Sequence, residues 1–177
     1  MARIPFPNPE DLDPKTKELY DIMPVKLNLA LMLGHSSSLA RPFLKLGSSI
    51  LLFSKLAPTL RELAILRVAS LTGSHYELHH HIPIARSTGL SESSIGAALN
   101  IDKALDPDLS PKEALTLRLA DEIVKQTSAS EALVAECASE FGEETLVELV
   151  VSIGYYMMVS RFLLTFDVDL DKSEFVP

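Results

Sequence analysis

Between His75 and His81 the chain reads H-Y-E-L-H-H-H, which places four of its five histidines within seven residues, around one glutamate. Histidine is the side chain whose unperturbed titration falls near neutrality, so such a cluster beside a carboxylate can move protons, bind a metal or hold an anion. Helical geometry limits which members act together. At about 100° per residue, Ser74, Glu77 and His81 lie within about 60° of arc, whereas His79, His80 and His81 span about 200° and cannot all face one site. With a carboxylate four residues earlier, His81 is the candidate acid/base, and Glu77 the group that orients its ring. A structural reading competes at each position. Ser74-His75-Tyr76-Glu77 is also a capping box, and a single histidine on a helix is often a core residue satisfied by a backbone carbonyl. His79 and His80 divide between a solvated face and a contact surface. The pairs His75/His79 and Glu77/His81 could each start a metal site, but they lie on different faces with no third ligand in view, so no metal is expected.

The elements that must position these groups read as helices throughout. Pro14 follows Asp13 as a first-turn proline, Ser110-Pro111-Lys112-Glu113 combines an N-cap, a proline and a capping-box glutamate, and Ser128 with Glu131 repeats the box. Gly73, Gly89 and Gly142 fall just past expected helix ends. Helices are expected at about 14–23, 27–34, 38–54, 59–72, 75–88, 91–99, 111–127, 129–141 and 143–166, with 100–109 as a connection. The segment Leu60 to Leu71, L-R-E-L-A-I-L-R-V-A-S-L, is apolar on nearly every side, the pattern of a helix packed all round. Glu62 shares a stripe there with Ile65, Leu66 and Ala69, and with Pro58 in the first turn it sits too deep to cap. The last helix carries Leu146, Val150, Ile153, Met157 and Leu164 at helical spacing. Two such apolar helices leave more surface than one small domain covers, which predicts a homo-oligomer.

At 177 residues, 47% of them hydrophobic, the chain suffices for a single domain over 1–177. Its formal charge of −8 argues against nucleic acid or an anionic membrane as partner. The strongly apolar run from Leu149 to Val159 is short for a bilayer, and the first residues show no apolar signal region, so the expected location is cytoplasmic. The single cysteine, Cys137, excludes an intrachain disulfide.

The run R-E-L-A-I-L-R-V-A-S-L-T-G-S-H-Y-E-L-H-H-H-I-P-I-A-R-S-T-G-L-S, from Arg61 to Ser91, resembles the carboxymuconolactone decarboxylase family, which includes the AhpD-like alkyl hydroperoxidases; its core motif falls at 59–99. The likeness extends to the P-F-P-N-P-E-D-L-D-P lead, the L-N-L-A-L-M-L-G-H-S-S-S stretch and the closing G-Y-Y-M-M-V-S-R-F-L-L-T-F-D-V helix. It implies an all-α bundle of about eight helices, assembled as trimers or hexamers, with the active site near a subunit boundary. The peroxidase branch places a glutamate, a C-x-x-C pair and a histidine where this chain has Glu62, Ser74, Glu77 and His81. Without those thiols no sulfur can be oxidised at this place, and Cys137, between Glu136 and Glu140, is poorly set to form a thiolate. Glu62, Glu77 and His81 remain as a proton-transfer set. The resemblance then implies a cofactor-free lyase that decarboxylates or isomerises a small unsaturated carboxylated lactone or related molecule. Arg67 or Arg86 would bind a substrate carboxylate, each being equally open to a structural ion pair, Tyr76 would donate to a lactone carbonyl, and His80 would help to hold the substrate. A non-catalytic oligomeric or ligand-binding protein on the same scaffold is the alternative; a thiol peroxidase using Cys137 is the third reading.

Overall fold

The computed structural model describes residues 1–23, 25–102 and 108–171. Among them are nine α-helices and no strand: α1 (Pro14–Ile22), α2 (Asn28–Leu33), α3 (Ala40–Leu52), α4 (Pro58–Thr72), α5 (His75–Ser87), α6 (Glu92–Leu99), α7 (Pro111–Gln126), α8 (Glu131–Phe141) and α9 (Glu143–Phe166). Each expected helix is present with its ends within two residues of the expected ones. A 3-10 turn at Pro9–Asp11, capped by Asn8, was not anticipated. Part of the expected connection, 103–107, lies outside the described residues.

Local chemistry accounts for most of the ends. The Asp13 carboxylate accepts from the backbone N–H groups of Lys15 and Thr16, and Ser110 and Glu113 form a complete capping box. The box expected at Ser128 and Glu131 is absent. Ser130 caps α8 instead, accepting from the Leu133 N–H, because its extended backbone aims the hydroxyl at the helix start. Gly73 ends α4 in the left-handed region at φ 73°, which glycine enters without a side-chain clash.

The centre of the bundle is α4, whose residues from Leu60 to Ala69 are all buried. It packs against α5, α6, α7 and α9. Leu60, Ala64, Ile65 and Val68 face the main core, while Leu63 and Leu66 face a smaller one with Ala85, Leu90 and Leu117. That division explains why α4 carries no polar stripe. The loop leading into it is held by Glu148 of α9, whose carboxylate accepts from the N–H groups of Lys55 and Leu56 at 3.1 and 2.8 Å.

The long helix α9 corrects two readings. Leu146, Ile153 and Met157 are buried as expected, but Val150 and Leu164 are 40% and 43% exposed, and Leu149, Tyr156 and Leu163 take the inward places. At 24 residues it is also long and apolar enough to cross a membrane by length and composition, which the shorter run Leu149–Val159 did not suggest. Its packing against α4 accounts for the apolar inner face without a bilayer. On its outer side, Val147 and Val151 line a groove with Leu46 of α3 and Phe53 just past its end.

Helix α3 meets Tyr155 of α9 at Gly47. A Cβ there would collide with the Tyr155 hydroxyl and lie 3.0 Å from its Cζ. The Tyr155 hydroxyl donates to the Phe43 carbonyl at 3.2 Å, a bond that retreat of the ring would break. Alanine ordinarily stabilises a helix interior relative to glycine, but Gly47→Ala should cost about 1–3 kcal/mol through overpacking. A lowered melting temperature checks this, and an unchanged or raised one would show that the ring moves freely.

Candidate active site

Helices α4 and α5 are joined only by Gly73 and Ser74 and so run back along each other. This hairpin carries Glu62, early in α4, to His81, midway along α5. His81 Nδ1 lies 2.7 Å from Glu62 Oε2, a buried hydrogen bond between residues 19 apart. Glu62 is wholly buried, and its other oxygen accepts from Arg61 Nε at 3.2 Å. His81 Nε2 is 3.5 Å from Glu77 Oε2. The Tyr156 ring meets the imidazole edge-on with centroids 5.0 Å apart, which restricts ring rotation.

The orienting carboxylate is therefore Glu62 rather than Glu77. The capping box expected at Ser74 and Glu77 does not form, since the Ser74 hydroxyl makes no cap hydrogen bond. Its ψ of 88° contrasts with 155° at the capping Ser110, because the two-residue turn commits the Ser74 N–H to the Ala69 carbonyl and leaves the hydroxyl aimed elsewhere. Glu77 is consequently free to turn inward.

Burial alone would lower the His81 pKa, but the charge and hydrogen bond of Glu62, with the charge of Glu77, outweigh it and raise the value above the ordinary 6.5. Burial pushes the Glu77 carboxyl up, with His81 and His80 opposing. Two buried groups with raised proton affinity thus stand side by side, an arrangement suited to acid/base work.

Both line a cavity of about 160 Å³ that opens to solvent. Leu29, Leu44, Leu51, Tyr155 and Val159 form much of its apolar wall; Glu77, His80 and His81 supply polar groups. His80 Nε2 is 2.8 Å from Asp171 Oδ2. That carboxylate also accepts from the Tyr76 hydroxyl at 2.6 Å and, through Oδ1, from the Asn28 N–H at 2.5 Å.

The remaining sequence candidates are placed as follows. Tyr76 lines the cavity, but its one hydroxyl proton goes to Asp171 and its oxygen accepts from the Leu29 N–H, so the proposed donation to a lactone carbonyl lacks a proton. Arg67 is not on the cavity wall. Its donors go to the Asp121 carboxylate and to the carbonyls of Ala97 and Asn100. Arg86 is an exposed partner of Glu92. Neither arginine is placed to bind a carboxylate in this cavity. No three His, Cys, Asp or Glu side chains among the described residues converge as a metal site.

Asp171 escaped the sequence reading altogether. It lies beyond the last helix among acidic residues that look solvated, and only the return of the chain brings it to Tyr76 and His80. Burial opposes its charge, yet His80, the Tyr76 hydroxyl and the Asn28 N–H hold its carboxyl below the ordinary 3.8. Asp171→Ala orphans the Asn28 N–H and the Tyr76 hydroxyl and should lower stability by about 1–3 kcal/mol at neutral pH. A lowered folded pKa contributes stability above the unfolded value and loses it as pH falls through the folded one. The difference between wild type and variant should therefore shrink in acid; denaturant melts at pH 7 and at steps below pH 4 check both statements.

The whole fold is that of the AhpD-core proteins. An alkylhydroperoxidase AhpD core structure, of an uncharacterized peroxidase-related protein from Ralstonia eutropha JMP134, superposes with a TM-score of 0.80 at 18% identity, covering 97% of this chain and 93% of the other. A peroxidase-related protein from Silicibacter sp. TM1040 gives 0.81 at 16% identity, covering 97% and 92%. A protein of unknown function from Agrobacterium tumefaciens gives 0.67 at 21%, covering 81% and 94%. Residues 38–122, a segment that includes Glu62, Glu77 and His81, match the model of the carboxymuconolactone decarboxylase family. No curated protein matches the chain.

Proposed function

We propose that the protein is a cofactor-free carboxy-lyase or isomerase acting on a small unsaturated carboxylated lactone or a related molecule. The observation that carries this reading is the buried Glu62–His81 pair, whose imidazole opens with Glu77 onto a largely apolar cavity. In decarboxylation the bond from carbon to the carboxylate breaks, carbon dioxide leaves, and the electron pair passes into the conjugated carbonyl as a dienolate. His81 Nε2 then delivers a proton to carbon, while Nδ1–H stays on Glu62. Glu77, 3.5 Å away, is placed to pass a replacement proton to Nε2. The apolar wall favours dispersal of the carboxylate's charge into the dienolate by disfavouring the localised carboxylate in the ground state.

Thiol chemistry is a poor fit to these residues. Cys137 is fully buried on α8, and burial together with Glu136 pushes its thiol pKa up, whereas a reactive cysteine needs an accessible thiolate. A homo-oligomer is part of the same proposal, motivated by the exposed apolar residues Leu52, Phe53 and Val147. A cytoplasmic location accords with it.

The test is carbon dioxide release from γ-carboxymuconolactone and from singly carboxylated unsaturated lactones, with wild type and His81→Asn in parallel. Release that needs His81 supports the reading; no release from any of them overturns it.

A further inference from the structure

The charges around the cavity restrict what it can hold. Three carboxylates, those of Glu62, Glu77 and Asp171, are buried around His80 and His81. Among the described residues no Lys or Arg lines the cavity. Arg61 is present only behind it, with Nε on Glu62. Arg67 and Arg86 are spent on Asp121 and Glu92.

With all three carboxylates ionised and both histidines protonated, this cluster with Arg61 reaches neutrality; with either histidine neutral it is net negative. Only if Glu77 also carries a proton does one net positive charge remain, which matches one anionic group and no more. A second ionised group on the ligand would find no counter-ion among the described residues that line this largely apolar wall, where an uncompensated charge is strongly disfavoured. The volume of about 160 Å³ is that of one six-membered ring with small substituents.

We propose that the ligand of this cavity is a single unsaturated ring carrying one ionised carboxylate or none, seated against Leu44, Leu51 and Val159 with an oxygen toward His81, and that dicarboxylates are rejected by charge. This rests on the cavity beside His81 being the reaction site. It also departs from the doubly charged lactone that gives the family its name.

Phthalamide, phthalamate and phthalate have nearly the same shape and carry zero, one and two negative charges. Each would be titrated into the intact protein at pH 7 while the ring signals of His81 are followed by NMR. The expected result is binding of phthalamide and phthalamate that moves the His81 signals, with phthalate at least tenfold weaker than phthalamide. Phthalate binding as tightly as phthalamide overturns the proposal, and so does the failure of all three to reach His81. Because none of the three needs to react, the order of affinities stands apart from turnover. If γ-carboxymuconolactone is decarboxylated and phthalate binds tightly, the charge rule falls and the reaction stands; if the order holds and no lactone reacts, only the reaction falls.

Discussion

His81→Asn should reduce turnover at least about 100-fold, the lower end of what a positioned general acid/base contributes, while the protein stays folded. The substitution separates the two ring nitrogens. The asparagine amide can take the place of Nδ1 and donate to Glu62, so the wholly buried carboxylate retains a partner besides Arg61. Nothing in asparagine replaces Nε2, the nitrogen beside Glu77. A loss of several kcal/mol in stability with the same loss of turnover would instead mark His81 as a core histidine. The pH dependence gives a second readout. Because the His81 pKa is raised on folding, the histidine's contribution to stability is complete below 6.5 and is lost as pH climbs through the folded value. Glu77, also raised, has the same sign from its ordinary 4.5 upward. Unfolding free energy of the wild type should thus decline above pH 6.5, and the decline should be shallower in His81→Asn. An equal slope in both proteins would mean that His81 titrates alike folded and unfolded.

Arg67→Met should produce the largest loss of stability, about 3 kcal/mol or more, since removing one member of a buried ion pair leaves its partner uncompensated. Arg67 is 2% exposed, and its guanidinium bonds both Asp121 oxygens, at 2.5 and 2.8 Å, and the carbonyls of Ala97 and Asn100. It thereby ties α4 to α7 and to the end of α6. Lys125 and the partial exposure of Asp121 soften the loss on that side, but the Ala97 and Asn100 carbonyls lose the donor that Arg67 supplies. A domain stable by about 5–15 kcal/mol would lose a large share of its margin. Arg67→Met with Asp121→Leu should recover part of it, because the orphaned charge goes too. Turnover per folded molecule should be unchanged in both variants. Lost turnover at full stability would restore Arg67 to the substrate.

The helical architecture was legible because its signals are local. Proline after a capping Asp or Ser, glycine after the last turn, and an apolar α4 are read from neighbouring residues, and neighbouring residues form those structures. The failures of local reading are local too. Ser128 and Ser74 have the right spacing for a box, but the backbone angle that aims a hydroxyl depends on where the preceding helix ends. At the site, Glu77 and His81 were visible as an i,i+4 pair and Glu62 as a carboxylate on an apolar face.

Residue type and helical period, together with the family likeness, were enough to nominate Glu62, Glu77 and His81. Only the packing of the chain could assign their parts. A hydrogen bond such as Glu62 to His81 depends on the hairpin between α4 and α5, and Asp171 reaches Tyr76 and His80 across 95 and 91 positions. The arginines make the same point in reverse: Arg67 and Arg86 have the charge to bind a carboxylate, and they spend it on Asp121 and Glu92. Charge and period are properties of a residue and its neighbours along the helix; which charges cancel, and which face a cavity, follow from contacts between segments distant in the chain.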